Sequence, residues 1–210
     1  YRGSDARFTT NPYCCAIPGA RESAPLILDM APTVMAHGKV RVARNKGEQV
    51  PEGVLLDGQG RPTTDPDALF SEPPGALRPV GTYKGYGLAL VNELLAGILS
   101  GGGTCRPETH HENDTILNNM FSVILDPNRF AGSGIFQSEL NLTVKHVTSS
   151  PPMEASEPVL IPGDPERANT SKRKAEGIPI DQNSWRLVAD TAESVGLTNS
   201  HISELAQIAT

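Results

Sequence analysis

Apolar side chains recur at helical spacing between Gly81 and Gly103, in the longest apolar run of the chain. Successive positions along this run lie three or four residues apart, at Leu88, Val91, Leu95 and Ile98. This spacing places the four side chains on one face and predicts a mostly buried helix. The glycines at the end of the run would terminate that helix.

Shorter patterns predict the other elements, with residues 1–20 polar and turn-like. Apolar runs bounded by turn residues predict strands, and periodic stretches predict helices. The predicted strands are residues 25–30 (buried), 51–57, 121–125 and 158–161, and the predicted helices are residues 33–45 with Thr33 as N-cap, a short helix entered at Pro66, and residues 135–148, 166–175, 182–195 and 201–208. The mixture predicts an α+β fold, since the spacings do not enforce a right-handed βαβ series.

The stretch from Ser149 to Pro158 is rich in proline and glutamate and is the best candidate for a boundary. We therefore expect two parts, residues 1–149 and residues 150–210. The chain opens at Tyr1 with residues that read like the middle of a protein, so we also expect an N-terminal portion to be missing.

The front of the central helix carries the first candidate chemistry, because Lys84 stands among Gly81, Gly85 and Gly87. Glycine lets the backbone bend, or lets another group approach closely, because it has no Cβ atom. Exposed N–H groups and the macrodipole already make a helix N-terminus positive. A lysine there indicates either a bound anion such as phosphate or carboxylate, or a surface lysine beside a tight turn. The spacing does not match a P-loop.

Composition narrows the class of protein. The 210 residues carry a net charge of −6, which argues against nucleic acid as the main partner. The three cysteines include the adjacent pair Cys14 and Cys15, which indicates a reduced, cytoplasmic protein without disulfides. Asn92 and Glu93 interrupt the longest apolar run, so no membrane span is predicted.

Standard site motifs are missing from the sequence. No GxGxxG fingerprint follows a predicted strand, so an ordinary Rossmann cofactor site is not expected. Two adjacent histidines and a glutamate, His110, His111 and Glu112, suggest a metal site only weakly, since no Cys/His pair stands at ligand spacing. We therefore predict no metal. The residue patterns alone do not name a reaction.

Five stretches, in this order, resemble the type-2 malate/L-lactate dehydrogenase family. They are LDMAPTVMAHGKVRVARNKG (28–47), PEGVLLDGQGRPTTDP (51–66), GTYKGYGLALVNELLAGILSGGG (81–103), ILNNMFSVILDPNRF (116–130) and VLIPGDPE (159–166). The resemblance covers nearly the whole chain and is strongest to the bacterial hydroxycarboxylate dehydrogenase branch.

This resemblance implies a non-Rossmann nicotinamide-cofactor domain, here residues 1–149, built on a largely antiparallel sheet flanked by helices. Residues 150–210 would be a helical segment that packs with the missing N-terminal domain. The implied enzyme is a homodimer that transfers a hydride between a nicotinamide cofactor and a 2-hydroxy or 2-oxo acid.

The resemblance also implies the cofactor-binding residues. These would be Ile27, Leu28, Asp29, Met30, Ala31, Tyr83, Lys84, Asn118, Pro162, Gly163, Asp164 and Pro165. We expect NAD, with NADP as the alternative, because an acidic Asp29 suits ribose hydroxyls better than an added phosphate. The general acid/base histidine and the arginine that grips the substrate belong to the family's N-terminal part. We therefore assign no catalytic residue in this chain and expect no turnover from it alone.

Three alternatives stay open. Within the family, the reaction could be ureidoglycolate oxidation or the reduction of a cyclic imine such as piperideine-carboxylate. A catalytically silent binding module would keep the fold without the chemistry. A metal-dependent hydrolase acting through His110 and His111 is the third alternative.

Overall fold

The computed structural model describes residues 1–8, 10–19, 24–109 and 118–206. The strands are β1 (Tyr13–Ile17), β2 (Leu26–Met30), β3 (Leu55–Leu56), β4 (Pro62–Thr63) and β5 (Ala76–Leu77). The helices are α1 (His37–Lys46), α2 (Tyr83–Glu93), α3 (Ser133–Thr148), α4 (Asp164–Glu176), α5 (Gln182–Ser194) and α6 (Asn199–Ala206). Short 3-10 turns lie at Pro66–Phe70, Pro107–Thr109 and Pro127–Arg129, and a π-helical turn at Leu94–Leu99 continues α2.

The chain forms two compact units. Unit 1 comprises Tyr1 with residues 7–34 and 79–176, and unit 2 comprises residues 2–6, 35–78 and 177–210. Strands β1 and β2 and helices α2, α3 and α4 belong to unit 1, and the other labelled elements belong to unit 2. The predicted division into residues 1–149 and 150–210 stays a prediction about the domains of the whole protein.

Unit 2 holds a small apolar core. In this unit, β3 pairs with β4 on one side and with β5 on the other, both antiparallel. Val40 from α1 packs with Val50, Val54 and Leu55, and all four side chains are buried. Five partly buried apolar side chains surround this cluster: Met35, Ala43, Leu69, Phe70 and Leu77.

Polar caps fix the ends of the elements in unit 2. Asp65 accepts a hydrogen bond from the N–H of Asp67 at 2.9 Å and begins the 3-10 turn, with Pro66 in its first position. This confirms the predicted entrance at Pro66. Asp181 similarly accepts from the N–H of Ser184 at 2.9 Å and begins α5.

Unit 1 is built around α2 and the antiparallel pair of β1 and β2. The side-chain amide of Asn11 donates to the carbonyl of Ala89 at 3.0 Å and to the Glu93 carboxylate at 2.8 Å. The amide of Asn92 donates back to the carbonyl of Asn11 at 2.8 Å. These bonds fasten the chain before β1 to the point where α2 becomes π-helical.

The fold class is confirmed as mixed α and β with antiparallel strands, and the helices are predicted better than the strands. The predicted helices at 135–148, 166–175, 182–195 and 201–208 correspond to α3, α4, α5 and the described part of α6. The predicted start at Thr33 is wrong. Thr33 instead bridges to Pro79, and α1 begins after Ala36, which makes no side-chain cap.

The central helix has the predicted extent, but the prediction that it is mostly buried is wrong. Its buried residues are the small ones, Gly85 and Ala89, with Gly97 in the π-helical turn. The large side chains of Ile98 and Leu99 are 61% and 65% exposed. The helix therefore packs through its small residues, which let other backbone segments approach it closely.

Two predicted strands are not formed, and three short strands, β1, β4 and β5, are missed. Residues 121–125 and 158–161 have no ladder partner within the described chain, and Ile124 is 95% exposed. The strand predicted at 51–57 shortens to β3, and β2 is present but largely exposed rather than buried. Strand β1 lies within residues 1–20, which the sequence predicts to be turn-like. A strand depends on a partner as much as on its own residues, so a local apolar run cannot establish it. Among the described helices, none has the length and apolar character to cross a bilayer.

Candidate functional site

Strand β2 links two segments that the sequence predicts to be part of the site. At its start, the N–H of Ile27 donates to the carbonyl of Pro162 at 3.3 Å. Just beyond its end, the N–H of Val80 donates to the carbonyl of Pro32 at 2.9 Å. Five residues of extended chain span about 16 Å. Unit 1 therefore places the turn at 162–165 and the start of α2 at opposite ends of one strand.

The predicted residues on β2 divide between its two faces, because successive side chains of a strand alternate. Ile27 and Asp29 lie on one face, and Asp29 stands opposite Cys14 of β1 in the ladder. Leu28 and Met30 lie on the other face. The side chains of these four residues consequently cannot all line one cofactor surface, and half of them would contribute through the backbone.

The outer edge of β2, which faces away from β1, presents main-chain polar groups of alternate residues. In an antiparallel pair, a residue directs its N–H and C=O either both toward the partner strand or both away from it. The N–H of Ile27 points away from β1, toward Pro162. The main-chain groups of Asp29, two residues later, therefore point the same way. The Asp29 side chain is exposed on this strand, so a carboxylate, an N–H and a C=O lie close together.

The start of α2 differs from the sequence prediction of free N–H groups. Three consecutive N–H groups of its first turn donate to carbonyls of the preceding loop, which folds back on the helix. These bonds run from Lys84 to Gly81 at 3.2 Å, from Gly85 to Val80 at 2.8 Å and from Tyr86 to Thr82 at 3.3 Å. A ligand here would therefore meet mainly side chains, above all the exposed Lys84 ammonium, rather than a row of free amides.

Gly85 serves the packing of this loop. A Cβ atom at Gly85 would lie 2.3 Å from the carbonyl oxygen of Pro32 and 2.6 Å from that of Val80. The close approach predicted at this glycine is thus made by the protein's own backbone. Thr82, just before the helix, has a φ of 57°, which is costly for a β-branched residue. The backbone at Thr82, just before α2, is therefore strained, and the surrounding structure keeps it in this conformation.

The remaining predicted residues on this side are open to solvent. Tyr83 is 59% exposed, and its ring meets that of Tyr1 edge to face, with 6.3 Å between ring centroids. Asn118 is exposed, and no hydrogen bond within the described chain joins it to β2 or α2. Its neighbour Asn119 donates to the carbonyl of Gly103 at 3.1 Å. The placement of Asn118 in the cofactor site therefore stays a prediction.

The turn before α4 is internally bonded. The Asp164 carboxylate accepts from the N–H of Ile161 at 3.0 Å and from the Arg167 guanidinium at 2.5 Å. The bond from the Ile161 N–H, and to a smaller extent the bond from Arg167, hold the pKa of Asp164 below its usual range. Gly163 is buried with a φ of 98°, whereas Pro165 is exposed. Asp164 thus shapes the turn, and a ligand would meet the backbone around it.

Arg167 is the residue of this region that the sequence analysis missed. It donates to the carbonyl of Pro25 at 3.0 Å as well as to Asp164. The spacing of three residues between Asp164 and Arg167, at the start of a predicted helix, was the available signal. The partner across 142 positions could not be predicted from spacing.

The donors and acceptors present suit a dinucleotide. Lys84 could supply positive charge for a phosphate, and Asp29 with the outer edge of β2 could supply acceptors and a donor for hydroxyl groups. No histidine belongs to this set of described residues. Across the described residues, no cluster of three or more His, Cys, Asp or Glu is placed to bind a metal ion. His110, His111 and Glu112 lie outside the described residues.

Known proteins match this chain over nearly all of its length. The sequence model of the malate/L-lactate dehydrogenase family matches residues 1–189. Hydroxycarboxylate dehydrogenase B of Escherichia coli (strain K12) is 38% identical over 208 residues, which are 99% of this chain. An L-lactate dehydrogenase of Cupriavidus necator is 39% identical over 94% of the chain. The solved structure of a proposed malate/lactate dehydrogenase from E. coli matches 97% of the chain with a TM-score of 0.80 and 34% identity.

These relatives are longer than the chain. The match spans 57% of the E. coli hydroxycarboxylate dehydrogenase, 56% of the C. necator enzyme and 56% of the solved structure. The family match includes β2, the start of α2 and the turn before α4, which are the three segments of the candidate site. By both sequence and fold, the chain belongs to the malate/L-lactate dehydrogenase family.

Proposed function

We propose that the protein containing this chain is a nicotinamide-dependent oxidoreductase that acts on 2-hydroxy and 2-oxo acids. The observation that carries the proposal is that the family match covers three segments that one unit of the structure joins through β2. When bound, the nicotinamide would accept or donate the hydride. The chain's own residues would bind and orient the cofactor.

Each segment has a distinct task in this proposal. Lys84 would hold a cofactor phosphate, since its ammonium is exposed beside a loop whose own N–H groups are already used. Asp29 and the β2 edge would hold ribose hydroxyls. The backbone around Gly163 would complete the surface, with Asp164 holding its shape. The exposed carboxylate of Asp29 favours NAD, because an added phosphate beside it would be repelled.

The acid–base step would use residues outside this chain. None of the described candidate-site residues is a histidine, and the matched relatives are longer than the chain. We propose that a histidine elsewhere in the complete protein exchanges the hydroxyl proton and that an arginine there binds the substrate carboxylate. We further propose a cytoplasmic homodimer.

Cofactor titration tests the proposal. NADH and NADPH binding to the complete protein would be followed by fluorescence, for the wild type and for Lys84→Ala. Loss of a charge-assisted hydrogen bond should weaken NADH binding about tenfold. Lys39→Ala, in α1 of unit 2, is the matched control and should bind like the wild type, since Lys39 is also exposed. Absence of saturable binding by the wild type would contradict the proposed function, and equal binding by Lys84→Ala would remove Lys84 from the site.

A further inference from the structure

Arg167 joins the two segments of unit 1 that meet at the start of β2. We propose that Arg167 is a positioning residue of the cofactor site and that it holds the turn at 162–165 in place against β2. This inference rests on the proposed function. It adds a residue outside the predicted cofactor set, acting through the turn.

The guanidinium of Arg167 bonds in two directions at once. One terminal nitrogen, Nη1, donates to the Pro25 carbonyl at 3.0 Å, and the other, Nη2, donates to the Asp164 carboxylate at 2.5 Å. A planar guanidinium fork can hold two such partners in a fixed geometry, whereas a lysine ammonium is a single point charge on a flexible stem. Arg167 therefore ties the chain just before β2 to the first residue of α4.

The other bonds at this junction depend on the same arrangement. Asp164 uses its second oxygen to accept from the N–H of Ile161, so both oxygens are engaged within the turn. The remaining link to the strand is the bond from Ile27 to Pro162, at 3.3 Å. That bond is slightly longer than the usual range of about 2.7–3.2 Å. Without Arg167, this bond would be the one hydrogen bond between the turn and β2 among the residues that the structure describes.

Gly163 allows the guanidinium to lie over the turn. Its φ of 98° is a conformation that glycine adopts easily, and a Cβ atom there would stand 2.7 Å from Nη1 of Arg167. A side chain at this position would push the guanidinium away from its partners. Gly163 thus leaves space over the turn, and the Arg167 guanidinium occupies that space. A ligand-binding backbone benefits from such support, because a loosely held site binds more weakly.

Substitution of Arg167 in the complete protein tests this role. NADH affinity, the KM for NADH and kcat would be measured for Arg167→Ala, Arg167→Lys and the control Arg173→Ala, which changes an exposed arginine of the same helix, α4. Loss of both charge-assisted bonds in Arg167→Ala should raise Kd and KM for NADH about tenfold. The expected change in kcat at saturating NADH is a fall of at most about twofold, since the reacting groups stay in place.

The lysine variant and a double substitution sharpen the result. Arg167→Lys should fall between the wild type and Arg167→Ala, because an ammonium can keep one of the two bonds. Asp164→Asn combined with Arg167→Ala should weaken NADH binding less than the sum of the two single effects, since both act through one arrangement. Arg173→Ala should bind NADH as the wild type does.

Separate outcomes would overturn this inference and the proposed function. If the wild type shows no saturable binding of NADH or NADPH, the proposed function fails and the role of Arg167 fails with it. If the wild type binds NADH and folded Arg167→Ala binds it equally well, the role of Arg167 alone is overturned. Should Arg167→Ala not fold, wild-type affinity in a folded Arg167→Lys variant would overturn the role in the same way.

Discussion

Different interactions stabilise each of the two units of this chain. Five of the six buried hydrophobic residues in the described chain lie in unit 2, where Val40 and Leu55 are fully buried, and only Ala89 lies in unit 1. All twelve predicted cofactor residues lie in unit 1. The unit that holds most of the buried hydrophobic residues is therefore not the unit that carries the candidate site.

Unit 1 is held instead by backbone contacts and polar links. Its central helix packs at glycines, and its turn before α4 is fastened by Asp164 and Arg167. Such links are directional, so they fix where main-chain groups point, which apolar packing alone does less well. Unit 1 should therefore be most sensitive to substitution of single glycines and hydrogen-bonding residues, and unit 2 to substitution of core side chains.

The largest effect is expected at Gly85. Alanine there would place a Cβ atom within 2.7 Å of three backbone atoms of Pro32 and Val80, none of which can rotate away. We expect Gly85→Ala to lower the free energy of unfolding by about 3 kcal/mol, the upper end for overpacking. Urea denaturation of the complete protein measures this.

Gly87, two residues further along α2, provides the control. A Cβ atom at Gly87 meets nothing within 4 Å, so Gly87→Ala should be neutral or stabilising by up to about 1 kcal/mol. Equal losses at both glycines would contradict the backbone-packing explanation for unit 1.

The next effect is expected in the core of unit 2. Val40 is fully buried, whereas Val42, two residues later in α1, is 42% exposed. Val40→Ala should cost about 2 kcal/mol through lost burial and the cavity left behind. Val42→Ala should change the stability by less than about 0.5 kcal/mol. A cost at Val42 that matches the cost at Val40 would show that the apolar core is not what holds α1.

The smallest of these effects concerns pH and unit 2. Partial burial, and then the nearby Arg41, lower the pKa of His37, which meets the Phe70 ring edge to face at 5.5 Å. The unfolded chain, with a His pKa of about 6.5, binds the proton more readily than the folded chain. The contribution of His37 to stability is therefore present above pH 6.5 and is lost as the pH falls through the pKa of His37 in the folded chain.

Thermal unfolding between pH 7.5 and 5 would show this dependence. His37→Gln should flatten the fall in stability with decreasing pH, because the titrating group is gone. His146→Gln replaces an exposed histidine of α3 and should leave the wild-type slope in place. An unchanged slope in His37→Gln would rule out His37 as its source.

Local signals in the sequence predicted part of this structure and failed for identifiable reasons. Asp65 with Pro66, and Asp181 before α5, announce helix starts because capping depends on neighbours in sequence. The stretch 121–125 looks like a strand, but a ladder needs a partner that its own residues cannot supply. The position of Lys84 at the start of α2 is evident from the sequence. The loop whose carbonyls accept from the N–H groups of the first turn is not, because it depends on the strained backbone at Thr82.

The candidate site was reached through resemblance more than through pattern. The family stretches led to β2, α2 and the turn before α4, which the structure joins through β2. The role of Arg167 cannot be predicted from local spacing, because its partner Pro25 is distant in sequence. The alternation of side chains on β2 also divides a set that the resemblance had treated as one surface.

The central claim is that unit 1 binds the cofactor through three segments joined by β2. Amide hydrogen exchange of the complete protein, with and without saturating NADH, tests this claim most directly. We predict slower exchange on NADH binding in residues 26–31, 81–86 and 161–164. Saturation with NADH that leaves exchange in all three segments unchanged would contradict the account.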